Sequence, residues 1–206
     1  MMKKIFLLLV LFSVFAFSQK YTRSEISRIT DGTIESALPI FQMSDSLQHL
    51  VLLDQSIDAN PKDQYTKILV NRMKLALLST GNGVGIAAPQ VGINRNIIWA
   101  KRFDKDGKPL EYFINPKILW RSEVLNFGPE GDLSIEVFRD NFYRSQVIHV
   151  EYLDLDGKKH SEIVEGFTAV ILQHEIDHLS GILISDKIEN QIMKTYEKVE
   201  FYKEMK

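Results

Sequence analysis

The sequence contains no cysteine among its 206 residues. No disulfide framework can therefore hold the chain together, so its stability must come from packing and from any metal ion that it binds. The same absence excludes a lipid anchor on cysteine and a thiolate ligand for a metal ion. Any metal site in this protein has to use nitrogen and oxygen ligands.

Neither sign of charge dominates. The 25 basic and 27 acidic residues give a net charge of −2, whereas proteins that bind nucleic acids usually carry concentrated positive charge. A nucleic-acid partner is therefore not expected. The sequence also lacks internal repeats and low-complexity tracts, and its length is that of one ordinary domain.

Long hydrophobic runs are absent except at the N-terminus. Residues 1–18, MMKKIFLLLVLFSVFAFS, begin with Lys3 and Lys4 and continue as an apolar stretch. Ala16 and Ser18 place small residues at the two positions that a signal peptidase reads. The pattern predicts a secretory signal peptide, since the stretch is short for a membrane span. A retained membrane anchor is the alternative.

Cleavage before Gln19 would leave residues 19–206 as a single exported domain, periplasmic or secreted. Loss of two lysines leaves 23 basic against 27 acidic residues, a net charge of −4. We expect this chain to be a monomer with no stable membrane insertion. Within it, residues 19–59 are interpreted as an N-terminal arm that packs onto the domain, and residues 187–206 as an amphipathic C-terminal helix.

Apolar spacing predicts an α+β domain. A helix should begin at Asn60 and end near Ser79, and another should begin at Gly166 and end at Gly181. Between them, turn residues separate two predicted hairpins, and a short strand should follow the second helix. The predicted strands are residues 93–101, 111–114, 147–153, 161–164 and 182–184.

The second of these helices contains the segment 174–178, HEIDH. Its two histidines are four residues apart, so on a helix their rings lie one turn apart and can bind one ion. Glu175 lies beside them and could take a proton from a water molecule bound to that ion. The pattern strongly indicates a metal site but does not identify the reaction.

Two histidines leave the site incomplete, because a catalytic zinc ion usually has three protein ligands and water. A third histidine after a glycine, as in one metalloprotease pattern, is missing here because isoleucine occupies that position. A protease of another type could use Glu197 or Glu200 from the following helix. The other candidate is Asp132, in a glycine-rich turn upstream.

Three segments together resemble the signature motifs of peptide deformylases, in matching order and spacing. They are residues 83–90, GVGIAAPQ, residues 130–134, EGDLS, and residues 174–178. The resemblance implies the deformylase fold, in which small antiparallel or mixed sheets pack around a central metal-binding helix. It also implies one divalent ion, Fe²⁺ or Zn²⁺, bound by Asp132, His174 and His178.

Asp132 departs from the family pattern, which has a cysteine ligand at this position. A carboxylate also contributes one negative charge and is an accepted ligand in hydrolases. It discriminates less strongly in favour of zinc or iron, so other divalent ions could bind. A carboxylate also resists the oxidation to which a thiolate is open outside the cytosol. Alternatively, Asp132 is an ordinary turn residue in a decayed site.

The resemblance also implies roles for further residues. Glu175 would be the general base, while the Gln90 amide and the backbone N–H of Leu133 would donate hydrogen bonds to the oxyanion. Glu130 would pair with Arg144 beneath the ion. The substrate-binding residues would be Gly83, Val84, Gly85, Glu130, Arg144 and Ile171, with Val84, Ile171 and His174 around the methionine side chain.

The expected function is hydrolysis of the formyl group from N-formylmethionyl peptides, by attack of a metal-bound water. Formylated nascent chains are made in the cytosol, and export would separate the protein from them. Its substrates could therefore be exported or scavenged formyl peptides, or peptides with another small N-acyl group. Two alternatives remain open at this point: a catalytically silent peptide-binding homologue, and the metalloprotease with a C-terminal glutamate ligand.

Overall fold

The computed structural model describes residues 20–186. The predicted signal peptide and the predicted C-terminal helix lie outside these residues, as do Glu197 and Glu200. None of the helices between residues 20 and 186 combines the length and apolar character needed to span a membrane. The helices are α1 (Arg23–Thr30), α2 (Ser46–Leu52), α3 (Gln64–Ser79) and α4 (Gly166–Leu179), with short 3₁₀ helices at Ala88–Val91 and Ile184–Asp186.

The strands form two antiparallel sheets. Five of them pair in the order β1-β2-β3-β6-β7, and the other two, β4 and β5, form a separate hairpin. Their bounds are β1 (Gly85–Ala87), β2 (Ile97–Lys101), β3 (Leu110–Arg121), β4 (Leu125–Asp132), β5 (Ile135–Ser145), β6 (Val147–Leu153) and β7 (Lys159–Glu165). The architecture confirms the predicted α+β class.

The five-stranded sheet separates two hydrophobic cores, because successive side chains of a strand point to opposite faces. On β2, Ile97 and Trp99 face α3, whereas Ile98 and Ala100 face α4. The indole N–H of Trp99 donates to the carbonyl of Val70 on α3 at 2.8 Å. Helix α4 therefore packs against one face of the sheet, and this packing fixes the position of the helix that carries both histidines.

The start of α3 differs from the prediction. The helix begins at Gln64, and the Asp63 side chain caps it by accepting from the backbone N–H of Tyr65 at 2.8 Å. The side chain of Asn60 instead accepts from the backbone N–H of Lys62 and forms a turn. Both residue types favour turns as well as caps, so the sequence alone placed the start too early.

The predicted hairpins are present, with changed bounds. Strand β6 has the predicted limits, but β2 begins at Ile97 and not at residue 93, and β3 extends to Arg121. The strand predicted at residues 182–184 is wrong, since Ile184–Asp186 forms a 3₁₀ helix. The β4–β5 hairpin was not predicted, because Gly128, Pro129 and Gly131 within β4 are residue types that usually indicate a turn.

Residues 20–59 contain α1 and α2, which pack onto the core. In α1, Ile29 is fully buried, and Glu25 caps the helix start through the backbone N–H of Thr22. Glu25 also forms a bidentate ion pair with the fully buried guanidinium of Arg95, at 2.6 and 2.9 Å. The same guanidinium donates to the carbonyl of Lys20. This ion pair fastens the beginning of the described chain to the core.

Replacing Glu25 with glutamine should destabilise the protein by about 3 kcal/mol, because the buried guanidinium of Arg95 loses its bidentate ion pair with the Glu25 carboxylate. Glutamine can still accept the capping hydrogen bond of α1. Urea unfolding followed by circular dichroism measures the change, with the exposed Glu35→Gln as control. Equal stability of the two variants would contradict the structural role assigned to this pair.

Candidate metal centre

His174 and His178 lie on successive turns of α4, and both are buried. Their Nε2 atoms are 3.2 Å apart, and the rings meet edge to face with centroids 4.9 Å apart. Two imidazole nitrogens therefore point to one place. This is the arrangement expected when a helix presents two ligands to one ion.

Asp132 reaches the same place from the end of β4. The β4–β5 pairing shifts register between Gly131 and Asp132, and the bulge directs the fully buried Asp132 side chain towards α4. Its Oδ2 lies 3.4 Å from Nε2 of His178. The three ligand atoms of Asp132, His174 and His178 lie within 4.8 Å of one another.

The two carboxylate oxygens of Asp132 have different surroundings. Oδ1 accepts from the backbone N–H of Ser134 at 2.8 Å and from the Gln90 amide at 3.0 Å. Oδ2 is buried and has no hydrogen-bond partner within residues 20–186. An unpartnered buried carboxylate oxygen is costly unless a cation binds it. One oxygen and two nitrogens form a ligand set that suits a divalent metal ion.

A buried ion pair contacts one of the candidate ligands, His174. Glu130 forms a bidentate ion pair with Arg144, at 2.8 Å for both bonds, and its Oε2 accepts from Nδ1 of His174 at 2.9 Å. This hydrogen bond assigns the proton to Nδ1 and leaves Nε2 of His174 free to bind the ion. Arg144 also contacts Asp177 on α4.

Arg144 was predicted to bind substrate, but it lies outside the cavity wall. Its guanidinium is almost completely buried and contacts Glu130 and Asp177. Glu130 borders the cavity, but its carboxylate contacts Arg144 and His174. The predicted pairing of Glu130 with Arg144 is present, and Glu130 in turn contacts the candidate ligand His174.

Glu175 lies beside the ligands and is buried. Burial is the main cause that raises its pKa to about 8, with further upward contributions from Asp132 and Glu130. Its Oε2 has no hydrogen-bond partner within the described residues. A Cβ atom on Gly85 would lie only 2.3 Å from Oε1 of Glu175. The glycine thus leaves the space that this carboxylate occupies.

Asp132 and His174 border a cavity of about 630 Å³. Of the predicted site residues, Arg144 and His178 are not part of its wall; the rest are there, namely Gly83, Val84, Gly85, Gln90, Glu130, Asp132, Leu133, Ile171, His174 and Glu175. A cavity of this size can hold a short peptide segment or a small molecule. The cavity wall therefore combines apolar side chains with the candidate metal ligands and Glu175.

Comparison with known proteins places these features in a family. The family model described as Polypeptide deformylase matches residues 37–193. The chain belongs to the polypeptide deformylase family. A peptide deformylase of Methylocella silvestris is 38% identical over 144 residues, which cover 66% of this chain and 73% of that protein. One of Maricaulis maris is 37% identical over 138 residues, covering 66% and 78%.

Solved deformylase structures share the fold. The peptide deformylase of Thermotoga maritima is 32% identical, with a TM-score of 0.66, and the match covers 73% of this chain and 96% of that one. A class I type b deformylase of Acinetobacter baumannii bound to Met-Ala-Ser is also 32% identical, with a TM-score of 0.65 and coverage of 75% and 99%. These matches confirm the predicted family, fold and hydrolase class.

Several residues of the deformylase cavity were missed by sequence reasoning. Phe167 and Val170 lie on α4, four residues before Ile171 and His174 respectively. The helical period places them on the same face as the two histidines, but they were not predicted to be site residues. Phe138 and Arg139 belong to β5, whose hairpin the sequence did not predict. The missed wall residues are Asn82, Pro129, Gly131, Ile135, Phe138, Arg139, Phe167 and Val170.

The protonation of the two histidines predicts how metal binding depends on pH. Burial lowers the pKa of His178 to about 4, so this ligand is neutral. Burial also acts to lower the pKa of His174, but its hydrogen bond to Glu130 and the charges of Glu175 and Asp132 outweigh that and raise it. A metal ion must displace the proton on Nε2 of His174, whereas Nδ1 keeps the proton that it donates to Glu130.

Metal affinity should therefore increase with pH until Nε2 of His174 has lost its proton, which happens above the ordinary histidine range because the pKa of His174 is raised. Competition with a chromophoric chelator, from about pH 6 to about pH 8, measures this slope. Replacing Glu130 with glutamine removes the charge that raises the pKa of His174, so the rise should move to lower pH. An affinity independent of pH in both proteins would contradict this assignment.

Proposed function

We propose that this protein is a metal-dependent peptide deformylase that hydrolyses the formyl group of N-formylmethionyl peptides. The observation that carries the proposal is the convergence of Asp132, His174 and His178 beside the buried carboxylate of Glu175, in a chain of the deformylase family. Curated relatives carry this name. The Met-Ala-Ser peptide bound to the Acinetobacter protein has the sequence expected of a deformylated product.

A divalent ion bound by these three residues would polarise the formyl carbonyl and lower the pKa of a water molecule. Glu175 then accepts a proton from the attacking water and delivers it to the leaving amine nitrogen. The water oxygen forms a bond to the formyl carbon, the carbon–nitrogen bond breaks, and formate and a free amino terminus are produced. Burial of Glu175 raises its proton affinity, which suits both halves of this transfer.

The cavity wall supports a peptide substrate with an apolar first residue. Val84, Val170 and Ile171 provide apolar surface beside the ligands, which suits a methionine side chain. Strand β1 lies at the edge of the five-stranded sheet, so its outer backbone groups are available to an extended peptide. The Gln90 amide and the backbone N–H of Leu133 are the proposed donors to the oxyanion.

The ion is proposed to be Fe²⁺ or Zn²⁺, with other divalent ions acceptable because Asp132 is an oxygen ligand. We also propose that the protein acts outside the cytosol, on exported or scavenged formyl peptides or on another small N-acyl peptide. Support comes from the signal-peptide pattern of residues 1–18. Fractionation of cells that express the full chain tests this location, and recovery of uncleaved protein in the cytosol would overturn it.

Formate release from formyl-Met-Ala-Ser by metal-loaded protein tests the proposed activity, and acetyl-Met-Ala-Ser tests for a different acyl group. Deformylation with multiple turnovers is expected. A protein that binds the peptide without producing formate would be the silent homologue. Cleavage of internal bonds in unformylated peptides would instead indicate the protease, and in that case replacing Glu197 and Glu200 with alanine should remove the metal.

A further inference from the structure

Gln90 contacts the metal ligand that distinguishes this chain from the family pattern. It lies in the 3₁₀ helix Ala88–Val91 and is only 1% exposed. Its Oε1 accepts from the backbone N–H of Ala87 at 2.9 Å. Because that N–H can only donate, the amide has one possible orientation, in which Nε2 faces Asp132.

Two donors thus hold the same oxygen of Asp132. Nε2 of Gln90 donates to Oδ1 at 3.0 Å, and the backbone N–H of Ser134 donates to Oδ1 at 2.8 Å. The other oxygen, Oδ2, lies 3.4 Å from Nε2 of His178 and has no hydrogen-bond partner among residues 20–186. The carboxylate is therefore oriented with one oxygen turned away from the ion position and one turned towards it.

We propose that Gln90 is a positioning residue that restricts Asp132 to binding the metal ion through Oδ2 alone. Two donors occupy both lone pairs of Oδ1, so binding through both oxygens would require Oδ1 to give up at least one of these hydrogen bonds. With a single oxygen and two nitrogens, the protein supplies three ligands and keeps a fourth position open, as a catalytic site requires. A cysteine ligand has only one donor atom, so this restriction becomes necessary only with aspartate.

The amide of Gln90 can serve two partners. Its nitrogen carries two hydrogens, and one of them is used by Asp132. The other is available to the oxyanion of the substrate in the proposed reaction. Gln90 would thus connect the orientation of the ligand with stabilisation of the charge that develops on the substrate. The inference rests on the metal site of the proposed function but not on its formyl substrate.

X-ray absorption of the zinc-loaded protein measures the coordination directly. We expect one carboxylate oxygen and two imidazole nitrogens from the protein at bonding distance, with the carboxylate carbon at the longer distance typical of single-oxygen binding. The cobalt-loaded protein should show the strong visible absorption of four-coordinate Co²⁺. Two carboxylate oxygens at bonding distance would overturn the proposal.

A double-mutant cycle then tests the role of Gln90. Gln90→Met, similar in length but without a donor, should weaken zinc binding by about 10- to 100-fold and shift the cobalt spectrum towards five coordination. In the Asp132→Cys background, the same change should alter zinc affinity less than about threefold. Equal weakening in both backgrounds would overturn the proposal.

The wild-type absorption measurement decides the coordination even if Gln90→Met fails to fold, a loss that circular dichroism detects. These measurements involve no formyl substrate. A protein that binds zinc through one carboxylate oxygen but releases no formate would contradict only the proposed function. A deformylase with two-oxygen coordination would contradict only the role assigned to Gln90.

Discussion

Replacing Glu175 with alanine should lower the rate of formate release by at least about 10³-fold, within the range known for general acid and base groups. The variant should bind its metal ion normally, because Glu175 is not one of the three ligands. In the wild-type protein its carboxylate is buried and has an oxygen without a hydrogen-bond partner in the described part of the chain. Formate release and bound metal are measured on the same samples.

Three further variants test whether the lower rate of Glu175→Ala comes from the loss of its carboxylate. Glu175→Gln keeps the shape but cannot accept the proton, so it should lose nearly as much activity. Gly85→Ala places a methyl group where the Glu175 carboxylate lies and should reduce the rate by displacing that carboxylate. Glu165→Ala changes an exposed glutamate just before α4 and should leave the rate unchanged. Wild-type turnover no faster than that of Glu175→Ala would refute the catalytic assignment.

The helix that carries the two candidate ligands could be predicted from the sequence, because the pattern that identifies it is local. The spacing of His174 and His178 and the apolar positions around them depend only on the helical period. Strand β6 was predicted with its correct limits for a similar reason, since the turn after Leu153 contains aspartate and glycine. Local patterns of this kind do not require knowledge of the tertiary structure.

The side-chain contacts that hold the candidate ligands in place could be predicted only in part. The family resemblance suggested that Glu130 pairs with Arg144, but the contact of Arg144 with Asp177 joins the hairpin to α4 across 33 positions. The spacing of apolar residues in the sequence cannot predict a contact between residues so far apart. The orientation of Gln90 towards Asp132 likewise depends on the bulge at the end of β4, which the sequence did not reveal. Tertiary packing decided both.

The sequence left more than one candidate for the third ligand. The structure places the Asp132 side chain beside the two imidazoles. Replacing Asp132 with alanine should therefore weaken metal binding by at least about 100-fold, the upper end of what outer contacts contribute. Activity at limiting metal should fall with it. Chelator competition measures the affinity, and Asp140→Ala, an exposed aspartate on the same hairpin, is the matched control.

Asp132→Cys separates loss of a ligand from loss of the local fold. Cysteine restores the residue type of the family motif and supplies one negatively charged donor, so the variant should bind zinc under reducing conditions while the alanine variant does not. Cobalt loading should add a sulfur-to-metal charge-transfer band that the wild-type protein lacks. Oxidation should inactivate the cysteine variant faster than the wild type, because only the thiolate can form a sulfenic acid. If Asp132→Ala retained full metal affinity, the ligand would have to come from elsewhere in the chain, and the metal centre described for residues 20–186 would be wrong.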